Sequence, residues 1–150
     1  MSDFTVRPAV QQEFPEIRAL IHEVHINPTG LHWQHFLVAV TPDNTLLGCG
    51  QIKHHSGGVF ELASIAVREH ARGQGIARAI IEQLLKREKT RPLYLMCRAR
   101  LGPLYAKFGF RPIGIGEMPV YFQRLSRAER IFNSRAPVED RLMIMQLSGD

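Results

Sequence analysis

The sequence predicts a mixed α/β (α+β) fold, in which a mostly antiparallel central sheet carries helices on both faces. Two observations predict it. Residues 35–67 contain three apolar runs separated by short turn segments, which is typical of an antiparallel meander. Residues 59–97 have the pattern of strand, helix and strand, and such a unit requires a parallel pair with a right-handed crossover.

The first two elements are a strand and an amphipathic helix. Alternating apolar and polar residues predict a strand over residues 4–8. The next segment carries a helical stripe of five apolar residues: Phe14, Ile17, Leu20, Ile21 and Val24. Pro15 is tolerated there because it falls in the first turn. Residues 27–30, NPTG, end the segment as a loop.

The meander and the strand–helix–strand unit follow. The turn residues Pro42, Asp43 and Asn44 indicate a hairpin, and the run from Ser56 to Gly58 indicates a second turn. The predicted elements are strands over residues 35–40, 46–55 and 59–67, a helix over residues 75–89, and a buried strand over residues 92–97. Ile76, Ile80 and Leu84 form the apolar face of that helix.

The pattern after residue 97 is weaker. Pro103 and Gly109 are typical of the start and the end of a short helix. Three further elements are predicted: a strand over residues 111–116, a helix over residues 121–133 with Phe122, Leu125 and Ile131 inward, and a last strand over residues 140–147. No linker divides the chain, so we expect residues 1–150 to form a single domain.

Composition excludes some classes of protein. The net charge is +5 and the pI about 9.7, which suits an anionic partner. The arginines are dispersed and few aromatic residues alternate with them, which argues against nucleic acid as the main partner. With no signal peptide pattern and no apolar stretch near the ~18 residues of a membrane span, we expect a cytoplasmic protein without a membrane partner. Cys49 and Cys97 each lie in an apolar run, as buried reduced thiols do.

Residues 72–77, RGQGIA, join the predicted strand to the predicted helix. Glycine takes backbone angles closed to other residues and lets a ligand contact the main chain. The first turn of a helix has N–H groups without partners and a partial positive charge. The segment, flanked by Arg72 and Arg78, therefore predicts an anion site, although a loop that only turns the corner is the alternative. No Lys-Ser or Lys-Thr follows Gly75, and residue 78 is not glycine, so the P-loop and Rossmann motifs do not fit.

This loop resembles the Q/R-x-x-G-x-G/A pyrophosphate loop of the GNAT superfamily of acyl-CoA-dependent N-acyltransferases. Residues 104–110, LYAKFGF, are similar to the family's tyrosine-bearing helix and Gly-Phe turn. The likeness covers roughly residues 4–116. It implies a GNAT-like fold with the parallel strand–helix–strand unit at an acyl-CoA cleft, acetyl-CoA as the co-substrate, and no metal.

The resemblance also implies which residues bind acetyl-CoA. The diphosphate rests on main-chain N–H groups within a run of six residues, with Arg78 nearby: Arg72, Gly73, Gln74, Gly75, Ile76 and Ala77. Pantetheine bonds to the backbone of Ile65, Ala66 and Val67. The backbone groups of Val67, which have no strand partner in this arrangement, are thereby satisfied.

The implied reaction is direct attack of a primary amine on the thioester, without a covalent enzyme intermediate, and it needs an acid and a base. Tyr105 occupies the tyrosine position of the motif and is the candidate acid, because a phenol pKa of about 10 keeps it protonated at neutral pH. Glu61 is the candidate base. It interrupts an apolar row on its strand and agrees with the glutamate that some family members use there. His54 and His55 compete for this role, directly or through water.

Several points stay open at this stage. Many relatives carry asparagine where this chain has Arg98, and Arg98 and Arg100 have three alternative roles: cofactor phosphate, an acidic substrate group, or solvent. The histidine pairs 22/25 and 32/35 lack an acidic or cysteine partner, so no metal site is predicted. The acceptor is a small-molecule or peptide amine, and a homodimer is compatible with the sequence. The alternative functions are a catalytically idle acyl-CoA-binding or regulatory domain, and a basic nucleic-acid-binding protein.

Overall fold

The computed structural model describes residues 3–149, and within them seven strands form one sheet. The strands are β1 (Thr5–Pro8), β2 (Phe36–Val40), β3 (Leu46–His55), β4 (Val59–Val67), β5 (Leu93–Arg98), β6 (Arg111–Pro112) and β7 (Leu142–Leu147). The helices are α1 (Phe14–Glu23), α2 (Ile76–Arg87), α3 (Gly102–Ala106) and α4 (Val120–Phe132). The strand order is β1-β2-β3-β4-β5-β7-β6, and β4 and β5 form a parallel pair. This confirms the predicted mixed sheet.

The chain folds into two compact units. The first contains residues 3–53 together with residues 62–89. Its strands β1, β2 and β3 pair in antiparallel order. Ile17, Leu20 and Ile21 of α1 are fully buried against the sheet, as the predicted stripe requires.

The glycines of β3 let α2 lie close to the first unit's sheet. A Cβ atom on Gly50 would come within 2.6 Å of Ile65 Cδ1 and 2.8 Å of Ile80 Cγ2. Cys49 lies between Gly48 and Gly50 in sequence, and its side chain belongs to the cluster around α1. Since successive side chains of a strand point to opposite faces, α1 and α2 cover opposite faces of β3.

The second unit contains residues 54–61 and 90–149. In it β7 pairs antiparallel with β5 on one side and β6 on the other. Helix α4 packs on this sheet through Phe122, which is fully buried, and Leu125, which is partly buried. Tyr94, Met118 and Ile144 complete the cluster.

Two predicted features of the C-terminal region are wrong. Strand β6 ends at Pro112 because the chain then forms a 3-10 turn over Ile115–Glu117, closed by a bond from Glu117 N–H to Gly114 C=O. Helix α3 ends at Ala106 and continues as a turn to Gly109, whose φ of +100° is the left-handed angle of a residue that ends a helix. Ile131 is 74% exposed, since it lies nine residues after Phe122, which places it half a turn away on the helix.

Both cysteines are free and buried, as predicted. Burial raises the pKa of Cys49 to about 12 and that of Cys97 to about 11, so both stay protonated at neutral pH. Within residues 3–149, no helix combines the length and the apolar character that crossing a bilayer requires.

We expect Gly50→Ala to lower the free energy of unfolding by about 1–3 kcal/mol, because the added methyl group overpacks a filled contact with Ile65 and Ile80. Gly114→Ala is the control. A Cβ atom there meets no atom within 4 Å, and we expect a change within about 0.5 kcal/mol. Urea denaturation of the two variants measures the difference, and equal stability would contradict the close approach of α2.

Candidate active site

Two glycines set the corner between β4 and α2. Gly73 and Gly75 both have φ of +81°, a left-handed angle that side-chain-bearing residues rarely adopt. A Cβ atom on either residue would meet nothing within 4 Å, so the space above the loop is open. A small cavity of about 130 Å³ lies here, between Val67 at the end of β4 and Arg78 in the first turn of α2.

The first turn of α2 faces this cavity with main-chain donors. Gly75 is the N-cap, and the first helical bond runs from Ala79 N–H to Gly75 C=O at 3.0 Å. The N–H groups of residues 76–78 precede that bond and are available to a ligand. Together with the helix dipole they make the corner suited to a diphosphate. These donors lie at the segment, residues 72–77, where the sequence predicts an anion site.

The two arginines of the corner have different partners. Arg72 Nε donates to the carbonyl of Val67 at 3.2 Å, so this carbonyl, expected to lack a protein partner, has one. Arg78 is exposed and pairs with Glu82 one helical turn later, at 2.9 Å. Of the two, Arg72 ties the end of β4 to the loop, whereas Arg78 adds charge at the surface.

Strand β4 is irregular just before the predicted pantetheine contacts. Ser64 has φ of +60°, and Gln51 Nε2 donates to its hydroxyl at 2.8 Å. Ala66 then packs in the α1 cluster, whereas Ile65 lies beside Gly50 on the α2 side. The two residues after Ser64 therefore still lie on opposite faces of the sheet, and the irregularity is confined to the backbone of Ser64.

Glu61 is a buried carboxylate with a histidine partner. Its side chain is 2% exposed, and His55 Nε2 lies 2.8 Å from Glu61 Oε1. The His55 ring is 19% exposed and stacks on Tyr121, with 4.1 Å between ring centroids. A buried carboxylate is costly unless it is hydrogen-bonded, and His55 supplies such a bond. The structure therefore brings together two of the three residues that the sequence offered as a base.

An open cavity of about 450 Å³ lies beside this pair and is lined by His55, Val59, Tyr121, Arg124 and Leu125, among others. Its size suits a small-molecule ligand. His55, and not the buried Glu61, lines the cavity. His54 is exposed and stacks on Phe60, with 4.3 Å between ring centroids.

Tyr105 lies in α3 of the second unit. Burial raises its pKa to about 12, and the neighbouring Cys97 thiol adds to the effect. A phenol with this pKa stays protonated throughout the neutral range and can donate a proton. The ring packs edge-on against Phe110 of the predicted Gly-Phe turn, with 6.4 Å between centroids.

Arg98 and Arg100 bind the segment before β7. Arg98 Nη1 donates to the carbonyl of Asp140 at 2.9 Å, and Arg100 forms an ion pair with the Asp140 carboxylate. Both arginines thus hold Asp140 in the structure. Among the residues described, no group of three or more histidine, cysteine, aspartate or glutamate side chains is arranged to hold a metal ion.

Sequence reasoning missed the role of Tyr121. This residue stacks on His55, and burial together with the negative charge of Glu61 raises its pKa. Residues 55 and 121 are far apart in sequence and no motif links them, so only the packing of α4 reveals the contact.

The chain matches a family model described as an acetyltransferase (GNAT) domain over residues 32–112, which is more than half of the chain. The match spans β2 to β6 and includes the glycine corner, Glu61 and Tyr105. Among curated proteins, none shows significant similarity to the sequence.

Solved structures share the fold at low identity. Rv2747 from Mycobacterium tuberculosis, solved in complex with CoA, is 22% identical over 97% of this chain and 99% of its own, with a TM-score of 0.72. The N-acetylglutamate synthase of Neisseria gonorrhoeae, solved with coenzyme A and N-acetyl-glutamate, is 20% identical with a TM-score of 0.75. That match covers 99% of this chain but 36% of the synthase.

A third similar structure is described as histone acetyltransferase HPA2 and related acetyltransferase, from Corynebacterium glutamicum. It is 20% identical over 100% of this chain and 98% of its own, with a TM-score of 0.69. The family match and the shared fold lead to one conclusion: the chain belongs to the GNAT family of acetyltransferases and is an acyltransferase that uses acyl-CoA as its co-substrate.

Proposed function

We propose that residues 1–150 act as a single N-acetyltransferase domain, which transfers the acetyl group of acetyl-CoA to a primary amine of a small molecule or peptide. The observation that carries this proposal is the buried Glu61 carboxylate bonded to His55, beside a cavity of about 450 Å³. An idle acyl-CoA-binding domain would need no such pair. The cytoplasmic location and a homodimer stay predictions.

Acetyl-CoA supplies an acetyl group already activated as a thioester. In this proposal the diphosphate is held by main-chain N–H groups of residues 72–77, with the charge of Arg78 close by. The open space over Gly73 and Gly75 supports this, because any side chain there would fill it. The backbone of Ile65, Ala66 and Val67 binds pantetheine.

His55 takes the proton that the ammonium group of the acceptor must lose before attack. Its Nε2 is engaged by Glu61, which leaves Nδ1 as the nitrogen that accepts the proton. Glu61 orients the ring and stabilises the positive charge that forms on it. In this assignment Glu61 is a positioning residue, and His55 is the base.

Tyr105 completes the reaction as the acid. When the amine nitrogen bonds to the thioester carbon, the carbon–sulfur bond breaks and the sulfur takes the proton of the Tyr105 hydroxyl. The second proton that the nitrogen loses as the amide forms restores that hydroxyl, and His55 returns its proton to solvent. The raised pKa of Tyr105, about 12, keeps that proton in place until the sulfur leaves.

The acceptor class is supported by a similar protein. The structure of the N-acetylglutamate synthase contains coenzyme A and N-acetyl-glutamate, an N-acetylated amine. We extend to this chain only the acceptor group, a primary amine. Turnover with a panel of amines, followed by release of the CoA thiol, tests the proposal, and binding of acetyl-CoA without turnover of any amine would favour the idle domain.

We expect Gly75→Glu to abolish acetyl-CoA binding, because it adds bulk and negative charge where the diphosphate lies. Gly57→Glu is a matched control: Gly57 also has a positive φ, +76°, and open space around its Cβ position, but lies outside the corner. Isothermal calorimetry should show wild-type affinity for the control alone. Equal affinity of both variants would contradict the assignment of the corner.

We expect His55→Gln to lower kcat by about 10²-fold or more, because glutamine can still donate to Glu61 but cannot accept the proton. His54→Gln, the matched control, should keep the wild-type rate. Steady-state kinetics over a range of pH values measures both. A normal rate in His55→Gln combined with a large loss in Glu61→Gln would assign the base to Glu61 instead.

We expect Tyr105→Phe to lower kcat by about 10²-fold or more with the acetyl-CoA affinity kept. Tyr94→Phe is the control, since the Tyr94 hydroxyl is bonded to Gln146 at 3.4 Å within the core. Because the pKa of Tyr105 is about 12, its ionisation should produce no falling limb in the wild-type rate profile between about pH 7 and 9. A Tyr105→Phe rate close to wild type would remove this residue from the mechanism.

A further inference from the structure

The cavity beside His55, of about 450 Å³, combines apolar surface with a single arginine. Arg124 supplies a positive charge to the lining. Among the described residues that line this cavity, none is acidic, and the Glu61 carboxylate is bonded to His55 outside the lining. Four residues supply the apolar surface: Val59, Pro119, Val120 and Leu125.

The guanidinium of Arg124 has no protein partner. Its side chain is exposed and makes no hydrogen bond or ion pair with any other residue of the range 3–149. By contrast, Arg98, Arg100 and Arg111 of the same unit each bind a carboxylate or a carbonyl group. The N–H donors of Arg124 are therefore available to a ligand in the cavity, and a guanidinium can bind a carboxylate through two parallel hydrogen bonds.

Arg124 lies near the proposed base along helix α4. Tyr121 stacks on the His55 ring, with 4.1 Å between ring centroids. Arg124 comes three residues after Tyr121, and residues at this spacing are neighbours on one face of a helix. Both His55 and Arg124 line the cavity. It therefore presents a proton acceptor and an anion-binding group a short distance apart.

We infer that the acceptor is an α-amino acid with an apolar side chain, and that Arg124 binds its carboxylate. This inference rests on the proposed function, in which His55 takes a proton from the amine. An α-amino acid carries both groups on one carbon atom, so the amine reaches His55 while the carboxylate pairs with Arg124. The nitrogen loses two protons, its bond to the acetyl carbon replaces the carbon–sulfur bond, and the products are an N-acetyl amino acid and the CoA thiol.

The same lining disfavours acceptors that carry a second positive charge. A polyamine or an aminoglycoside would bring a further ammonium group next to Arg124. Since the described lining contains no carboxylate, nothing in it offsets the repulsion between these like charges. The acceptor class therefore narrows from any primary amine to an amine that also bears a negative charge.

Steady-state kinetics with acetyl-CoA and two matched acceptors, L-leucine and L-leucinamide, tests the inference. Leucinamide has the same shape but a neutral amide in place of the carboxylate, and its amine is the weaker base. A preference for leucine therefore does not come from easier loss of the amine proton. We expect kcat/KM to be at least about tenfold higher for leucine, because leucinamide lacks the charge-assisted contact. Equal values, or a preference for leucinamide, would overturn the inference while the proposed function stands.

Variants of α4 assign the contact to Arg124. Arg124→Gln should lower kcat/KM for leucine at least about tenfold and leave that for leucinamide within about twofold of wild type. Arg124→Lys keeps the charge and should keep part of the preference. Arg127→Gln is the matched control, because Arg127 is an exposed arginine of the same helix outside this lining. A preference for leucine that persists unchanged in Arg124→Gln would overturn the assignment.

Calorimetry separates this inference from the proposed function. In the presence of coenzyme A, L-leucine should bind the wild-type protein at least about tenfold more tightly than the Arg124→Gln variant. This difference in binding, found without turnover of any amine, would contradict the proposed function and support the amino acid site. If leucine neither binds nor reacts, the inference is overturned, whether or not another amine is turned over.

Discussion

Backbone conformation at the corner between β4 and α2 determines how helix α2 begins. Gly75 has a left-handed backbone, so the chain turns from strand to helix in a few residues and α2 starts at Ile76 with its first N–H groups outward. A side chain at Gly73 or Gly75 would suffer backbone strain and fill the open space. The same two glycines therefore serve the fold and, in the proposed function, the binding of the diphosphate.

The Glu61–His55 pair affects both the stability of the fold and the proposed proton transfer. A carboxylate that is 2% exposed would be strongly destabilising alone, and the bond to His55 offsets part of that cost. The His55 ring is held in turn by stacking on Tyr121. The bond to Glu61 and the stacking on Tyr121 together hold the His55 ring in one orientation beside the neighbouring cavity.

Different residues of helix α4 contact different parts of the second unit. Phe122 and Leu125 pack on the sheet, Tyr121 and Arg124 line the cavity beside His55, and Glu129 and Arg130 line another cavity, of about 540 Å³. One amphipathic helix thus borders two cavities. The family match ends at residue 112 and does not include this helix.

Local patterns in the chain are enough to predict the sheet, helices α1 and α2 and the glycine corner, because hydrophobic period, turn residues and left-handed glycines act over a few neighbouring residues. Tertiary structure alone decided that His55 partners Glu61, that Tyr121 stacks on His55, and that Arg98 and Arg100 hold Asp140. It also decided that Ile131 is exposed and that β6 ends at Pro112. These outcomes depend on which distant segments meet, and no local pattern in the chain encodes such a meeting.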